Sequence, residues 1–473
     1  MLKTQENCIL HCAIKNKSAL FGDKRLERRA IALLDAMLDN CSVVINRIGK
    51  DTAEKKAFYN LFKSDKVPVG TFISCGREQC NDFLNKDMHV LAINDTTAID
   101  LKSHSGRVKQ EELGAIGKGK SLGFFLHPTL ILDAHTGQAF GLSSIQMWVR
   151  ASDQGNKQER EYEKLSIEEK ESYKWIKAAK DTKQSLKEVK TITMVADRES
   201  DIYEEFAVVP DERTQILVRS SSNRRLYEEE EKLYQVLKKQ EVAGTYRIEV
   251  PSEKRLGRER RVAEIEVRFK KVRLERPKRA NKELAKYVEV YAIEARERKA
   301  TIPRGETGIL WRLLTTHEIE NFEQARQAVI WYSERWQVEQ LNRTIKRQGL
   351  NVGATELESG KAIMKMTALG LQVALKVMQL VTAREGSDVE AEIAFNEEEI
   401  ACLAELGRKL EGETEKQKNP HKQKSLSWVS WIIAKLGGWS GYQSQRPAGV
   451  ITIYRGLKRF EDIFLGWQLP HHN

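Results

Sequence analysis

Apolar residues in this chain alternate between two kinds of spacing. In His89-Val-Leu-Ala-Ile93 and Ile192-Thr-Met-Val-Ala196 nearly every position is apolar, which predicts strands buried on both faces. Both runs stop at polar, acidic segments, Asn94-Asp-Thr-Thr97 and Asp197-Arg-Glu-Ser-Asp201. Residues 124–132 and 138–149 flank Ala134-His-Thr-Gly137 and read as a hairpin. With a mostly polar helix over 163–179 and a strand at Ile216-Leu-Val-Arg219, residues 86–220 read strand–strand–strand–helix–strand–helix–strand. Residues 221–316 read as β-rich, with strands at 287–293 and 309–314.

Elsewhere the spacing is helical. After the basic segment Gly22-Asp-Lys-Arg-Leu-Glu-Arg-Arg29, residues 30–38 carry apolar side chains at helical intervals. Thr52 reads as the cap of a second helix over 53–62, which carries Lys55 and Lys56 and is followed by Lys63. The first 70 residues read equally as a DNA-contacting module or as an amphipathic cap on the core. Asn321, with Gln324 three residues on, starts a helix that Gly349 ends, roughly 27 residues or about 40 Å. Amphipathic helices follow over 360–384 and 397–410. Residues 411–424 lack apolar side chains and read as a solvated linker to a unit rich in aromatics: Trp428, Trp431, Trp439, Tyr442, Tyr454, Phe460, Phe464 and Trp467.

The long helix concentrates chemistry. On one continuous helix Tyr332, Arg335, Glu339 and Lys346 fall at about 0°, −60°, −20° and −40°. A carboxylate can hold a divalent cation, and Arg and Lys can hold phosphate oxygens. Alone, such a stripe reads more readily as a solvated face with stray ion pairs. Asp95 and Asp197 change that balance. Ligands collect at the C-terminal ends of strands in α/β sheets. If the two strands are adjacent and parallel, both carboxylates leave the same end, and Glu339 completes an oxygen-only cage suited to Mg²⁺ or Mn²⁺. Two such ions could activate a hydroxyl and stabilise a leaving 3′ oxygen.

Composition narrows the partners. At 473 residues, 40% apolar and 31% charged, the chain is globular and long enough for several domains. Of its net charge of +11, residues 253–286 carry +8, from 14 Lys and Arg against 6 Asp and Glu. Within that run Ile265, Val267 and Phe269 alternate with Glu264, Glu266, Arg268 and Lys270, so it predicts a half-buried strand. This basic ribbon reads equally as a nucleic-acid footprint and as a charged edge that resists aggregation. No apolar run approaches the roughly 20 residues needed to span a bilayer, and residues 1–17 do not read as a signal peptide. A cytoplasmic, bacterial location and no membrane partner are expected. The six cysteines are scattered and suit reduced thiols. Cys8, His11 and Cys12 make only a weak metal pattern.

Together these residues resemble a known family. Asp95-Thr-Thr and Asp197-Arg-Glu-Ser-Asp-Ile202 after apolar strands, and Tyr332-x2-Arg335-x3-Glu339-x6-Lys346, are similar to the cut-and-paste DDE transposases of the insertion-sequence-four class, its transposon-five branch above all. Leu20-Phe-Gly-Asp-Lys-Arg25, residues 123–127, Val218-Arg-Ser220, Trp311-x-Leu-Leu-Thr315, residues 349–353 and Leu436-Gly-Gly438 extend the likeness over most of the chain. Asn94 and Ala196, before the two aspartates, depart from the family's Glu and Cys without removing a ligand.

The resemblance implies an α/β fold with an RNase H-like catalytic core. It implies a helical transposon-end-binding domain over 1–70, core segments over 71–220 and 317–385, a β-rich insertion over 221–316, and a helical dimerisation and DNA-contact domain over 386–473. Asp95, Asp197 and Glu339 would be the catalytic metal ligands for two Mg²⁺ or Mn²⁺ ions. Tyr332, Arg335 and Lys346 would grip phosphates, Trp311 would stack on a flipped base, and Arg219 and Arg343 would touch the DNA backbone. The implied reaction frees a 3′-OH at an inverted-repeat end, forms and reopens a hairpin, and joins the end to target DNA within a synaptic homodimer on the nucleoid. Two rivals stay open: an RNase H-fold nuclease or resolvase that cuts without joining, and a non-catalytic DNA-binding inhibitor.

Overall fold

A computed structural model describes residues 18–104, 106–108, 112–116, 121–150, 165–252, 259–347, 349–384, 386–441 and 446–471. Cys8, His11, Cys12 and Tyr442 lie outside the described residues, as does part of the basic run, 253–258. The first helices are α1 (Ser18–Phe21), α2 (Lys24–Asn40), α3 (Ile45–Ile48), α4 (Thr52–Lys63) and α5 (Val69–Asp82). Strands β1 (His89–Asn94), β2 (Thr97–Asp100), β3 (Gly114–Ile116), β4 (Ser121–Asp133) and β5 (Ala139–Trp148) follow. Next come α6 (Tyr173–Ser185), β6 (Thr191–Ala196), α7 (Tyr203–Val208), β7 (Thr214–Arg219) and α8 (Leu233–Lys238). The β-rich stretch is β8 (Gly244–Val250), β9 (Arg261–Glu275), β10 (Tyr287–Glu297) and β11 (Leu310–Thr315). The remaining helices are α9 (Phe322–Ser333), α10 (Trp336–Lys346), α11 (Gly360–Ala383), α12 (Glu397–Leu410), α13 (Leu426–Leu436) and α14 (Val450–His471).

Two compact units divide the chain: Met1–Lys86, Thr96–Gln154 and Gln337–Asn473 form one, Asp87–Asp95 and Gly155–Trp336 the other. In the first, β2, β3 and β5 pair antiparallel with β4. The β4–β5 turn is the expected hairpin: Asp133 Oδ1 accepts from the His135 and Thr136 amides, and Gly137 supplies φ 71°. Around α11 pack α2, α4, α5, α13, α14 and β5.

That central helix corrects two expectations. It is buried nearly all round rather than amphipathic, with Lys365, Gln372, Lys376 and Gln379 inside together with its apolar residues. It is also the one described helix long and apolar enough, by length and composition, to cross a bilayer, and that stretch is almost wholly covered by protein. Among its buried polar groups, Lys365 Nζ donates to the carbonyls of Phe62 (3.1 Å) and Ser64 (2.8 Å) and Gln379 Nε2 to that of Phe140 (3.0 Å), whereas the Gln372 amide has no hydrogen-bond partner among the described residues. Residues 411–424 are not a free tether either. The Asn419 amide donates to Glu411, its side chain donates to the Trp428 carbonyl, and Glu390 bridges to Ser425. The aromatics Trp428, Trp431, Tyr454, Phe460 and Phe464 are core.

Local capping chemistry sets other boundaries. Asp51, not Thr52, caps α4 by accepting from the Glu54 amide (2.8 Å). Helix α6 begins at Tyr173, ten residues later than its polar sequence suggested. Asn396 and Glu399 form a reciprocal capping box at α12.

The second unit holds a mixed sheet in the order β1-β6-β7-β11-β10-β9-β8. Strands β1, β6 and β7 are parallel, while β11, β10, β9 and β8 join antiparallel. The largely apolar β1 and β6 are buried; α6 packs on β1 and α9 on β6 and β7.

Candidate active site

Strand register brings the first two flagged residues together. Ile93 of β1 pairs with Val195 of β6 in a parallel ladder. Two residues further on, Asp95 and Asp197 therefore leave the same end of the sheet side by side. Both are half-buried. Asp197 caps a short 3₁₀ turn, its Oδ1 accepting from the Glu199 amide at 2.8 Å. Beside it, Ala196 pairs with Val218 of β7, so Arg219 emerges next to Asp197.

The neighbouring strand supplies an aromatic wall. Arg219 pairs with Leu313 of β11 and donates to the Leu310 carbonyl (3.4 Å). Trp311, one residue along from Leu310, meets Tyr332 of α9 edge-to-face, centroids 5.5 Å apart at 72°. The Arg335 guanidinium lies 6.0 Å from the Tyr332 ring centre. Burial pushes the Tyr332 phenol up; Arg335 and Arg219 pull it down and Asp197 raises it further. Asp197, Arg219, Trp311, Tyr332 and Arg335 thus share one neighbourhood at the sheet end that also carries Asp95. Arg335 and Arg219 place positive charge beside a half-exposed carboxylate, an arrangement able to take phosphate oxygens.

The long helix expected over 321–349 is two helices. Glu334 bonds back to the Trp331 carbonyl and Arg335 to that of Tyr332, so the chain tightens into a turn after Ser333. No Gly or Pro marks the break in sequence. Tyr332 is buried in the second unit, whereas Val338, Leu341 and Ile345 are buried in the first, and packing overrides local propensity. The four-residue stripe consequently falls into two pairs. Glu339, Arg343 and Lys346 lie on α10 at i, i+4 and i+7, one helix face. Lys346 Nζ donates to Thr97 Oγ1 (2.9 Å), and Arg343 is exposed. On the same face Asn342 is 5% exposed, and its amide has no hydrogen-bond partner among the described residues.

Oxygen ligation suits hard divalent cations, and the Asp95–Asp197 pair fits that chemistry. Among the described residues, however, no group of three or more His, Cys, Asp or Glu side chains is gathered closely enough to hold a metal ion.

Sequence reasoning missed the support beneath Asp197. Asp201, with a fully buried carboxylate, accepts from Arg224 Nε (2.8 Å), the Ser221 amide (2.7 Å) and Ser221 Oγ (2.9 Å). Ser200 Oγ donates to Glu205 (2.5 Å), whose carboxyl burial pushes up to about 8. These contacts tie the turn after β6 to the turn after β7. The only sequence cue was a second Asp four residues after the first.

The N-terminal helices decide the broader assignment. Residues 14–67 match the transposase DNA-binding family. The match supports a DNA-binding transposase. Within it, Lys24, Arg25, Arg28 and Arg29 lie exposed on α2, while Leu26, Ala30, Leu33, Leu34 and Met37 form its buried face.

Proposed function

We propose that this DNA-binding transposase is a DDE enzyme of the insertion-sequence-four class with an RNase H-like core, acting at inverted-repeat ends. The observation that carries the reading is the register of β1 and β6, which sets Asp95 beside Asp197 at the sheet end shared with Arg219, Trp311, Tyr332 and Arg335. In this reading Glu339 is the third catalytic carboxylate. Arg335, Lys346 and Tyr332 hold the scissile strand's phosphates, with Arg219 and Arg343 on neighbouring backbone. Trp311, half-exposed beside Tyr332, offers a face for an extruded base.

Mg²⁺ or Mn²⁺ bound by the carboxylates would activate the attacking hydroxyl and stabilise the leaving oxygen. The protein's own groups orient the strand for in-line displacement, and the guanidiniums offset charge at the phosphorus. The course follows the resemblance: hydrolysis frees a 3′-OH, that hydroxyl attacks the opposite strand to close a hairpin, the hairpin is reopened, and the end joins target DNA.

The proposed assembly is a homodimer, working in the cytoplasm on nucleoid DNA. Exposed Ile451, Leu465 and Leu469 fall on one side of α14 and support pairing with a second copy. Because α13 and α14 are core, Leu465→Glu with Leu469→Glu is a cleaner test than deletion; intact paired-end complexes in that variant would contradict the assignment. The decisive assay for the reaction is strand transfer, using full-length protein, Mg²⁺ and the inverted repeats flanking its gene. Joined products are expected. Cutting without joining would favour the nuclease, and binding without cutting the inhibitor.

A further inference from the structure

The basic run over 253–286 resolves into two parts. Along the strands its cations are engaged by carboxylates. Arg260 meets Glu249, Arg261 meets Glu297 and Glu306, Arg268 meets Glu266 (3.0 Å), Lys271 meets Glu289 (3.2 Å) and Arg273 meets Glu228 (3.3 Å). Strand β9 pairs with β10 on one side and β8 on the other, so it is an inner strand rather than the expected charged edge, and carboxylates match its cations. The β9–β10 turn differs. Residues 276–286 hold five cations, Arg276, Lys278, Arg279, Lys282 and Lys286, against one carboxylate, Glu283. Lys278, Arg279, Lys282 and Lys286 are all exposed.

The turn is also built rather than slack. Arg276 N donates to the Lys286 carbonyl (2.9 Å), Ala280 N to Pro277 (2.9 Å) and Leu284 N to Asn281 (3.2 Å). The Arg276 guanidinium gathers the carbonyls of Lys282 and Leu284. Tyr203 of α7 anchors the turn from below through the Ala285 carbonyl (2.7 Å). At its base Tyr227 and Tyr287 stack 4.9 Å apart, with Arg273 over both rings at 5.6 and 5.3 Å. Four like charges are therefore held close together on an ordered support, against their mutual repulsion. Such an arrangement is suited to a polyanion, and its order means little entropy is lost on contact.

We infer that the β9–β10 tip is a second DNA-contacting surface, outside residues 14–67, which holds duplex phosphates without reading sequence. Duplex DNA presents one negative charge per about 1.7 Å of axis, a density that matches several cations within one turn. Lysines act here as point charges, and no bidentate base-reading group stands among the four exposed cations except Arg279. The inference rests on the DNA-binding reading but not on the catalytic one.

The test is the salt dependence of full-length protein binding to a random-sequence duplex, followed by anisotropy between about 50 and 200 mM salt. Lys278→Ala/Arg279→Ala/Lys282→Ala/Lys286→Ala should lower the slope of log K against log salt by about 2 to 4 and weaken binding at least about tenfold. Arg268→Ala/Lys271→Ala, on the paired strand face, should leave the slope within about 1 of wild type. Should the quadruple variant lose its thermal transition, Lys282→Ala alone should still lower the slope by about 1. A tip variant with wild-type slope and affinity would overturn the inference while leaving the DNA-binding reading intact. So would loss of binding to polyglutamate with duplex binding unchanged, which would point to an acidic protein. Wild-type protein that binds no duplex would overturn both.

Discussion

The end of the parallel strands and the interior around α11 handle charge in opposite ways. At the strand ends, Asp95 and Asp197 are half-exposed and aligned by ladder register, and Arg219 emerges beside Asp197. Around α11, Lys376 lies inside with its ammonium 4.5 Å from the Phe395 ring centre, and the carboxyls of Asp39, Glu399 and Glu461 feel its charge from within the protein. The first arrangement keeps its carboxylates partly exposed, as the proposed catalytic role requires. The second ties charge to folding.

Variants can sharpen that contrast, beginning with the largest effect. Under Asp197, Arg224→Ala would strand the Asp201 carboxylate without its partner. A loss of about 3–5 kcal/mol is expected, measured by denaturant unfolding. A loss below about 1 kcal/mol would mean the clamp does not support the site. Phe460→Ala, in the fully buried aromatic row beside Phe395 and Phe464, should cost about 3–5 kcal/mol without changing DNA contacts directly.

The buried carboxyls make a pH prediction. Burial raises Asp39 and Glu399 to about 7 and Glu461 to about 8, against ordinary values of 3.8, 4.5 and 4.5. Folded protein thus holds protons that the unfolded chain releases. Their stabilisation is full below about pH 4 and is lost as pH rises to about 7–8. Denaturant midpoints measured from pH 5 to 8 should fall. Glu461→Gln should flatten that fall and be more stable than wild type at pH 8, with little difference at pH 5. A midpoint that rises over this range would contradict the assignment. The smallest effect belongs to the surface. Breaking the Lys177–Asp181 pair on α6 should change stability by less than about 0.5 kcal/mol.

How much of this was legible depended on which force set each element. Strands β1, β6 and β7 were visible because burial on both faces demands continuous apolar runs, and the aspartates that follow β1 and β6 mark where those strands stop. Helix α12 was found to the residue because Asn396 caps it and Glu399 returns the bond. The break after Ser333 was invisible: neither glycine nor proline marks it, and packing in two units imposes it. Helix α11 was read as amphipathic, yet Lys365 and Lys376 are buried. Their burial depends on acceptors and carboxyls far away in sequence. The basic ribbon's charge was plain, but which cations meet carboxylates depends on strand pairing, which composition does not encode. Asp201 escaped notice because its partners, Ser221 and Arg224, are brought to it by β7.

Asp95 and Asp197 are proposed to act together as metal-binding catalytic carboxylates. The most direct measurement of that role is single-turnover cleavage of the inverted-repeat ends in Mg²⁺ by folded Asp95→Asn and Asp197→Asn proteins, beside wild type and Glu339→Gln. Each variant should bind the ends normally and cleave at least about a thousandfold more slowly, since a catalytic metal ligand contributes several kcal/mol to the transition state. Cleavage by either Asp variant at the wild-type rate would contradict that role.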